Sequence, residues 1–371
     1  MLAARGCTDP AAAQALLGQG EPLSDPFLLT DMDKAVVRIQ EAIENEELMV
    51  IYGDYDVDGI SATAILYECL TSQGAHVRCK LPTRGSGYGL TRAALESLAS
   101  KGFKLVVTVD NGISAVEEAA CAKELGLDSS SRITTCRATR CQMPSPLSTP
   151  SAPTTKARSR TCAARAWRSN SVPRSRPATP LSCWKCTASW RRWARWPTSC
   201  RWWGRTARLS ARVCPFCRTR CAPGLHALLE SAGCGGKPVT ADTVSYSLAP
   251  RLNAAGRMDN AAVALKLLLC GDEDQATGIA ERLAEINTER QQTEQQVFAA
   301  ALQALEADPA RTRDRVLVVS GEDWHPGVIG IVAARLMERF SRPVIVISMH
   351  EGEAAAAGAH RTRSTCTVRS P

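Results

Sequence analysis

Asp54-Tyr55-Asp56-Val57-Asp58-Gly59 packs three carboxylates into one short stretch, directly after the apolar run Leu48-Met49-Val50-Ile51-Tyr52. A fourth carboxylate, Asp110 in Thr108-Val109-Asp110-Asn111-Gly112, closes a second apolar run from Leu105 to Val109. Oxygen-only ligands suit Mg2+ or Mn2+. A pair of such ions can activate water and stabilise both the attacking and the leaving oxygen of a phosphoryl displacement. The chemistry expected of these residues is metal-assisted hydrolysis. An EF-hand opens with the same Asp-x-Asp-x-Asp-Gly spacing, but its twelfth position should be Glu and is Ile65, and a helix should precede it where a strand does. A solvated acidic turn is the weaker alternative, because carboxylates gathered at strand ends repel without a counter-ion.

Other stretches carry less specific signals. Arg251-Leu252-Asn253-Ala254-Ala255-Gly256-Arg257-Met258 sets two arginines around small residues, so that phosphate could approach backbone and guanidinium together; spacing alone leaves a surface helix or turn equally open. In Trp324-His325-Pro326-Gly327-Val328-Ile329-Gly330 a histidine precedes a glycine-rich helix start, a place able to receive phosphate, although a lone histidine is more often structural. Gly85-Ser86-Gly87-Tyr88-Gly89-Leu90 matches no Walker pattern and reads as a flexible loop. The pairs Cys183/Cys186 and Cys214/Cys217 have zinc-like spacing within each pair, but lie too far apart for a usual zinc ribbon.

The elements that must position the aspartates follow from hydrophobic period. Helices are expected over Asp31 to Glu44, from near Ser61, over Thr91 to Ser100 and over Ser114 to Leu125, with strands at Leu48 to Tyr52, His76 to Leu81 and Leu105 to Val109. Strands alternating with helices predict an α/β fold with a doubly wound parallel sheet, whose ligand sites lie beyond the carboxyl ends of the strands. Patterning stops at Asp128 and returns near Pro223, with a helix to Ala232, another over Ala261 to Leu269, and one or two joining helices over Glu273 to Ala307. A smaller α/β unit closes the series: a strand at Arg315 to Ser320, a helix at Gly327 to Phe340 and a strand at Pro343 to Ser348, after which the pattern fails.

Composition sets the frame for these elements. The 371 residues suffice for two domains, and neither a signal peptide nor an apolar run of membrane-spanning length is evident, so a soluble, cytoplasmic monomer without membrane association is expected. The 16 cysteines should then be reduced. The formal charge of +8 is not evenly spread. Between Ser129 and Ala222 stand 18 Arg and 2 Lys with no Asp or Glu, a local +20, whereas the rest has 25 basic against 37 acidic residues, a net −12. The same segment holds nine of the 16 Cys and seven of the eight Trp.

Taken in order, Ile51 to Ile60, Val107 to Asp110, Leu248 to Met258 and Trp324 to Leu336 resemble the RecJ-type single-strand-specific DNA exonucleases of the DHH phosphoesterase family. The resemblance covers residues 1–128 and 223–352. It implies a first catalytic (DHH) domain, a smaller DHHA1 domain and a single DNA strand passing between them. It also implies 5′ to 3′ hydrolysis in repair and recombination with Mn2+ or Mg2+ at a two-metal site, and partnership with a single-strand-binding protein and a helicase. Asp54, Asp56, Asp58 and Asp110 become catalytic carboxylates, with Asp56, Asp58 and Asp110 touching metal; Arg251, Asn253, Arg257, His325 and Gly327 become phosphate-contacting or strand-positioning residues.

The Asp-His-His motif expected two dozen residues after Asp110 is missing, and the residues themselves suggest why. If true codons take the last base of one written codon and the first two of the next, Arg132-Ile133-Thr134-Thr135-Cys136, as CGG ATC ACC ACG TGC, becomes Asp-His-His-Val. Tryptophan has one codon and tests the idea more sharply. Trp193-Ala194 must give Gly, Trp196-Pro197 Ala, Trp202-Trp203 Val and Trp203-Gly204 Gly. The recovered string Leu-Gly-Thr-Val-Ala-Asp-Val-Val-Pro-Leu resembles the family segment with a further metal-binding Asp, spelled across Pro197 and Thr198. Residues 1–128 and 223–310 are therefore expected to form the DHH domain with its helical linker, 129–222 to be an out-of-frame, irregular insert, and 311–371 a partial DHHA1 domain with an aberrant tail; the OB-fold domain of longer members is not found. Two other readings stay open: a phosphoesterase of short oligonucleotides or cyclic dinucleotides, and a non-catalytic protein binding nucleic acid through its basic middle.

Overall fold

The structure, a computed structural model, describes residues 31–83, 89–112, 114–129, 222–240, 242–308, 314–351 and 353–360, with Asp9 and Phe27 besides. The CxxC pairs, the recovered Asp-His-His segment and most of the Gly85 loop lie outside them. The chain divides into two compact units, Met1–Gly256 with Asn260–Leu283, and Arg257–Asp259 with Ala284–Pro371.

In the first unit α1 (Met32–Glu44), β1 (Met49–Tyr52), α2 (Val57–Thr71), β2 (Val77–Lys80), α3 (Arg92–Ser100), β3 (Leu105–Thr108), α4 (Val116–Glu124) and β4 (Asp128–Ser129) follow in order. All four strands are parallel, in the order β2-β1-β3-β4. Side chains alternate across a strand, and here both faces are apolar. Met49 and Ile51 of β1, with Leu105 and Val107 of β3, pack under α1 and α2 through Ile39, Ala62, Leu66 and Leu70. Val50, Tyr52 and Val106 face the other way, against Leu95 and Leu98 of α3 and Cys121 and Ala122 of α4. Helices on both faces make the sheet doubly wound, as its continuous apolar strands predict. Full burial of each such side chain contributes roughly 1.5–3 kcal/mol.

Chain 222 onward adds α5 (Pro223–Ser231), a π-helical turn (Thr243–Leu248), α6 (Ala249–Met258) and α7 (Ala261–Leu269). Gly224 lies where any side chain would strike the Leu267 carbonyl, which fixes α5 against α7. The stretch expected as one or two helices is a single one, α8 (Glu273–Glu306), 34 residues long.

In the second unit β5 (Leu317–Glu322) and β6 (Val344–His350) pair in parallel, with α9 (Ile329–Phe340) between them in sequence. Leu317, Val319, Val344 and Val346 meet Val332, Ala333 and Leu336 of α9 and Val297, Ala301 and Leu305 of α8. Regular structure continues past Ser348, contrary to expectation. Glu353–Ala359 forms β7, antiparallel to β6 from Val344↔Ala359 to His350↔Glu353. An alanine run shows no polar/apolar alternation, yet its backbone can satisfy the open edge of β6.

Candidate active site

β1 and β3 are neighbours in register, with Tyr52 opposite Thr108. Both end at the same rim, so the stretches carrying Asp54 and Asp110 leave the sheet side by side. Two bonds tie them together beyond the last strand pair. Val109 N donates to Tyr52 O at 3.0 Å, and Asn111 Nδ2 donates to Gly53 O at 2.7 Å. Asp110, between these anchors, takes a left-handed backbone with φ 63°. Aspartate tolerates that region better than most side chains.

The acidic turn is tighter than its sequence suggests. Asp54 is 1% exposed, and its Oδ1 accepts from Tyr55 N at 2.7 Å. Burial first, and the charge of Asp54 second, raise the pKa of the Tyr52 phenol. Asp56 Oδ1 accepts from Asp58 N at 2.9 Å and Gly59 N at 3.0 Å, so Asp56 is the N-cap of α2. The helix therefore begins at Val57, four residues before the expected Ser61, and Asp58 sits in its first turn, where the helix dipole favours a negative side chain. Gly59 is dictated by close approach, since a methyl there would lie 2.5 Å from Asp54 N.

From the later part of the same unit, Asn253 Oδ1 accepts from Val57 N at 2.8 Å, a further orphan donor of the α2 terminus. Gly256 lies against the Tyr55 carbonyl, leaving no room for a side chain. Arg251 donates through its guanidinium to Ser247 O at 2.7 Å and Ser231 O at 3.5 Å, which occupies it with backbone rather than leaving it extended. In the second unit three sequence candidates meet. Arg257 donates to Gly327 O at 3.1 Å, and His325 Nδ1 accepts from Gly327 N at 3.0 Å. Nδ1 as acceptor puts the proton of the neutral ring on Nε2.

Whether these residues fit a divalent ion can be judged from the donors. Two buried oxygens near Gly53, Thr63 Oγ1 and Asn111 Oδ1, have no hydrogen-bond partner, and the carboxylates are hard oxygen ligands. Among the described residues, however, no three His, Cys, Asp or Glu side chains converge closely enough to hold a metal. Asp54 and Asp56 have turned to backbone N–H groups instead. The residues present do not by themselves close around an ion.

Residues 48–130 match the DHH family, N-terminal domain. A protein named single-stranded-DNA-specific exonuclease RecJ from Bacillus subtilis (strain 168) is 31% identical over 366 residues, which covers 91% of this chain and 42% of the relative. The likeness to RecJ extends to solved structures. RecJ from Thermus thermophilus, in complex with Mn2+, superposes with a TM-score of 0.72 at 25% identity, covering 94% of this chain and 49% of that one. An exonuclease RecJ bound to manganese gives a TM-score of 0.69 at 27% identity, covering 88% and 82%. The chain thus spans under half the length of the Bacillus relative.

Two residues of this chain act at the site without a chemical signature in sequence. Asn111 reads as an ordinary turn residue, yet it is 4% exposed and staples the two acidic loops. Gly59 reads as the end of an acidic turn, yet it is the contact that lets α2 approach Asp54. No described helix is long and apolar enough to cross a membrane.

Proposed function

We propose that this chain derives from a cytoplasmic, metal-dependent exonuclease that degrades single-stranded DNA from its 5′ end, and that as written it does not turn over. Asp54, Asp56, Asp58 and Asp110 are the acidic half of its site, with Asp56, Asp58 and Asp110 the ligands for Mn2+ or Mg2+. Arg257, His325 and Gly327 are the proposed phosphate-contacting group, while Arg251 and Asn253 position backbone near the acidic turn. The observation that carries the reading is the pair of bonds from Val109 and Asn111 to Tyr52 and Gly53, which hold two acidic loops at one carboxyl rim of a parallel sheet.

The loss of turnover follows from what is missing. The written chain has no Asp-His-His, and the further aspartate is replaced across Pro197 and Thr198. A shell short of two histidines and a carboxylate cannot hold the ions that would make the attacking hydroxide. The test is release of nucleotides from a 5′-labelled single strand with Mn2+ present. No release above background is expected, and turnover at an ordinary enzymatic rate would refute the proposal.

A further inference from the structure

We propose that Tyr246 is a stacking platform for a nucleobase of a bound single strand; this rests on the substrate reading above. The residue is 79% exposed, the largest value for any large apolar or aromatic residue among the described ones. It lies within the π-helical turn Thr243–Leu248, which runs directly into α6. Such turns are rare and concentrate at functional sites.

The turn is not a loose end. Val244 and Leu248, either side of the tyrosine, are buried, and the Arg251 guanidinium holds Ser247 O at 2.7 Å. α6 then carries Asn253 to the Val57 N–H and Gly256 to the Tyr55 carbonyl. One continuous element therefore connects the ring to the acidic turn, with Tyr246 and Asn253 about 10 Å apart along a helical rise.

The chemistry favours a base over an apolar protein partner. The chain neighbours of Tyr246 are Ser245 and Ser247, and the other exposed large apolar residues among the described ones of this unit, Phe27, Val37 and Val116, lie on other segments, so the ring is not part of an apolar run in sequence. A docking protein seeks a contiguous apolar area. A single aromatic face, with the positive charge of Arg251 in the following turn, suits a planar base on an anionic backbone.

The test is anisotropy of a labelled oligothymidylate with the full chain, in EDTA so that no cleavage occurs and at one fixed salt concentration. Tyr246→Ala should weaken binding about ten-fold, the usual scale of one stacked base, and Tyr246→Trp should bind at least as tightly as wild type. On an abasic strand of equal phosphate number, wild type and Tyr246→Ala should bind alike. Equal binding of oligothymidylate by wild type and Tyr246→Ala would overturn the inference, as would an equal loss on the abasic strand. Failure of the wild-type chain to bind any single strand would instead defeat the substrate reading, and the inference with it.

Discussion

Asn111 Nδ2 donates to the main-chain oxygen of Gly53 at 2.7 Å, joining the loop that follows β3 to the loop that follows β1. The bond is buried, so removing the donor strands an oxygen away from water. Such a group destabilises by about 1–3 kcal/mol. Asn111→Ala is expected to lower the free energy of unfolding measured in urea by that amount, and an unchanged midpoint would show that the staple does not hold the two acidic loops together.

Gly59→Ala tests the other constraint on the acidic turn. The added methyl would meet the N, Cα and Cβ of Asp54, which are not the flexible end of a side chain. Overpacking of this kind destabilises by about 1–3 kcal/mol. Thermal melting of the variant should occur several degrees below wild type; an equal melting temperature would mean that α2 and Asp54 separate without penalty.

Asn253 gives a way to separate a structural task from a substrate contact. Its Oδ1 satisfies Val57 N at the start of α2, so Asn253→Ala should reduce stability by about 1 kcal/mol even without DNA. Equilibrium unfolding of the free protein measures this directly. If the residue serves only to contact phosphate, the free protein will unfold at its wild-type midpoint.

Cys79 predicts a pH dependence. Burial in β2 pushes its thiol up to about 12. An exposed thiol ionises near pH 8.5. Below that value both states hold the proton and the contribution is intact; as pH rises from there towards 12, the unfolded chain ionises first and stability falls. Wild type should lose stability more steeply than Cys79→Ala over this alkaline window. Parallel curves would show that the thiol is not desolvated.

These tests also mark how much the sequence disclosed. The apolar runs ending in Asp54 and Asp110 revealed two parallel strands and their common rim, because strands buried on both faces are near-continuous in apolar side chains. α2 starts earlier than its hydrophobic pattern predicts because Asp56 serves two patterns at once: an acidic loop by composition and an N-cap by geometry. β7 carries no strand signal because alanine favours helix over strand, and pairing with β6 overrides that preference. Asn111 and Tyr246 could not be singled out for the same reason, since burial of the one and exposure of the other are set by tertiary packing.

The proposal makes the aspartates the surviving half of a metal-dependent nuclease. The decisive experiment restores the reading frame across Ser129 to Ala222 and measures Mn2+-dependent nucleotide release from single-stranded DNA, with the written chain and a restored Asp110→Asn variant alongside. The restored chain should release nucleotides, the written chain none, and the variant should lose about a hundred-fold or more, the scale of removing one strong electrostatic contact at a reacting centre. A restored chain that releases nothing, or a variant as fast as its parent, would contradict the proposal.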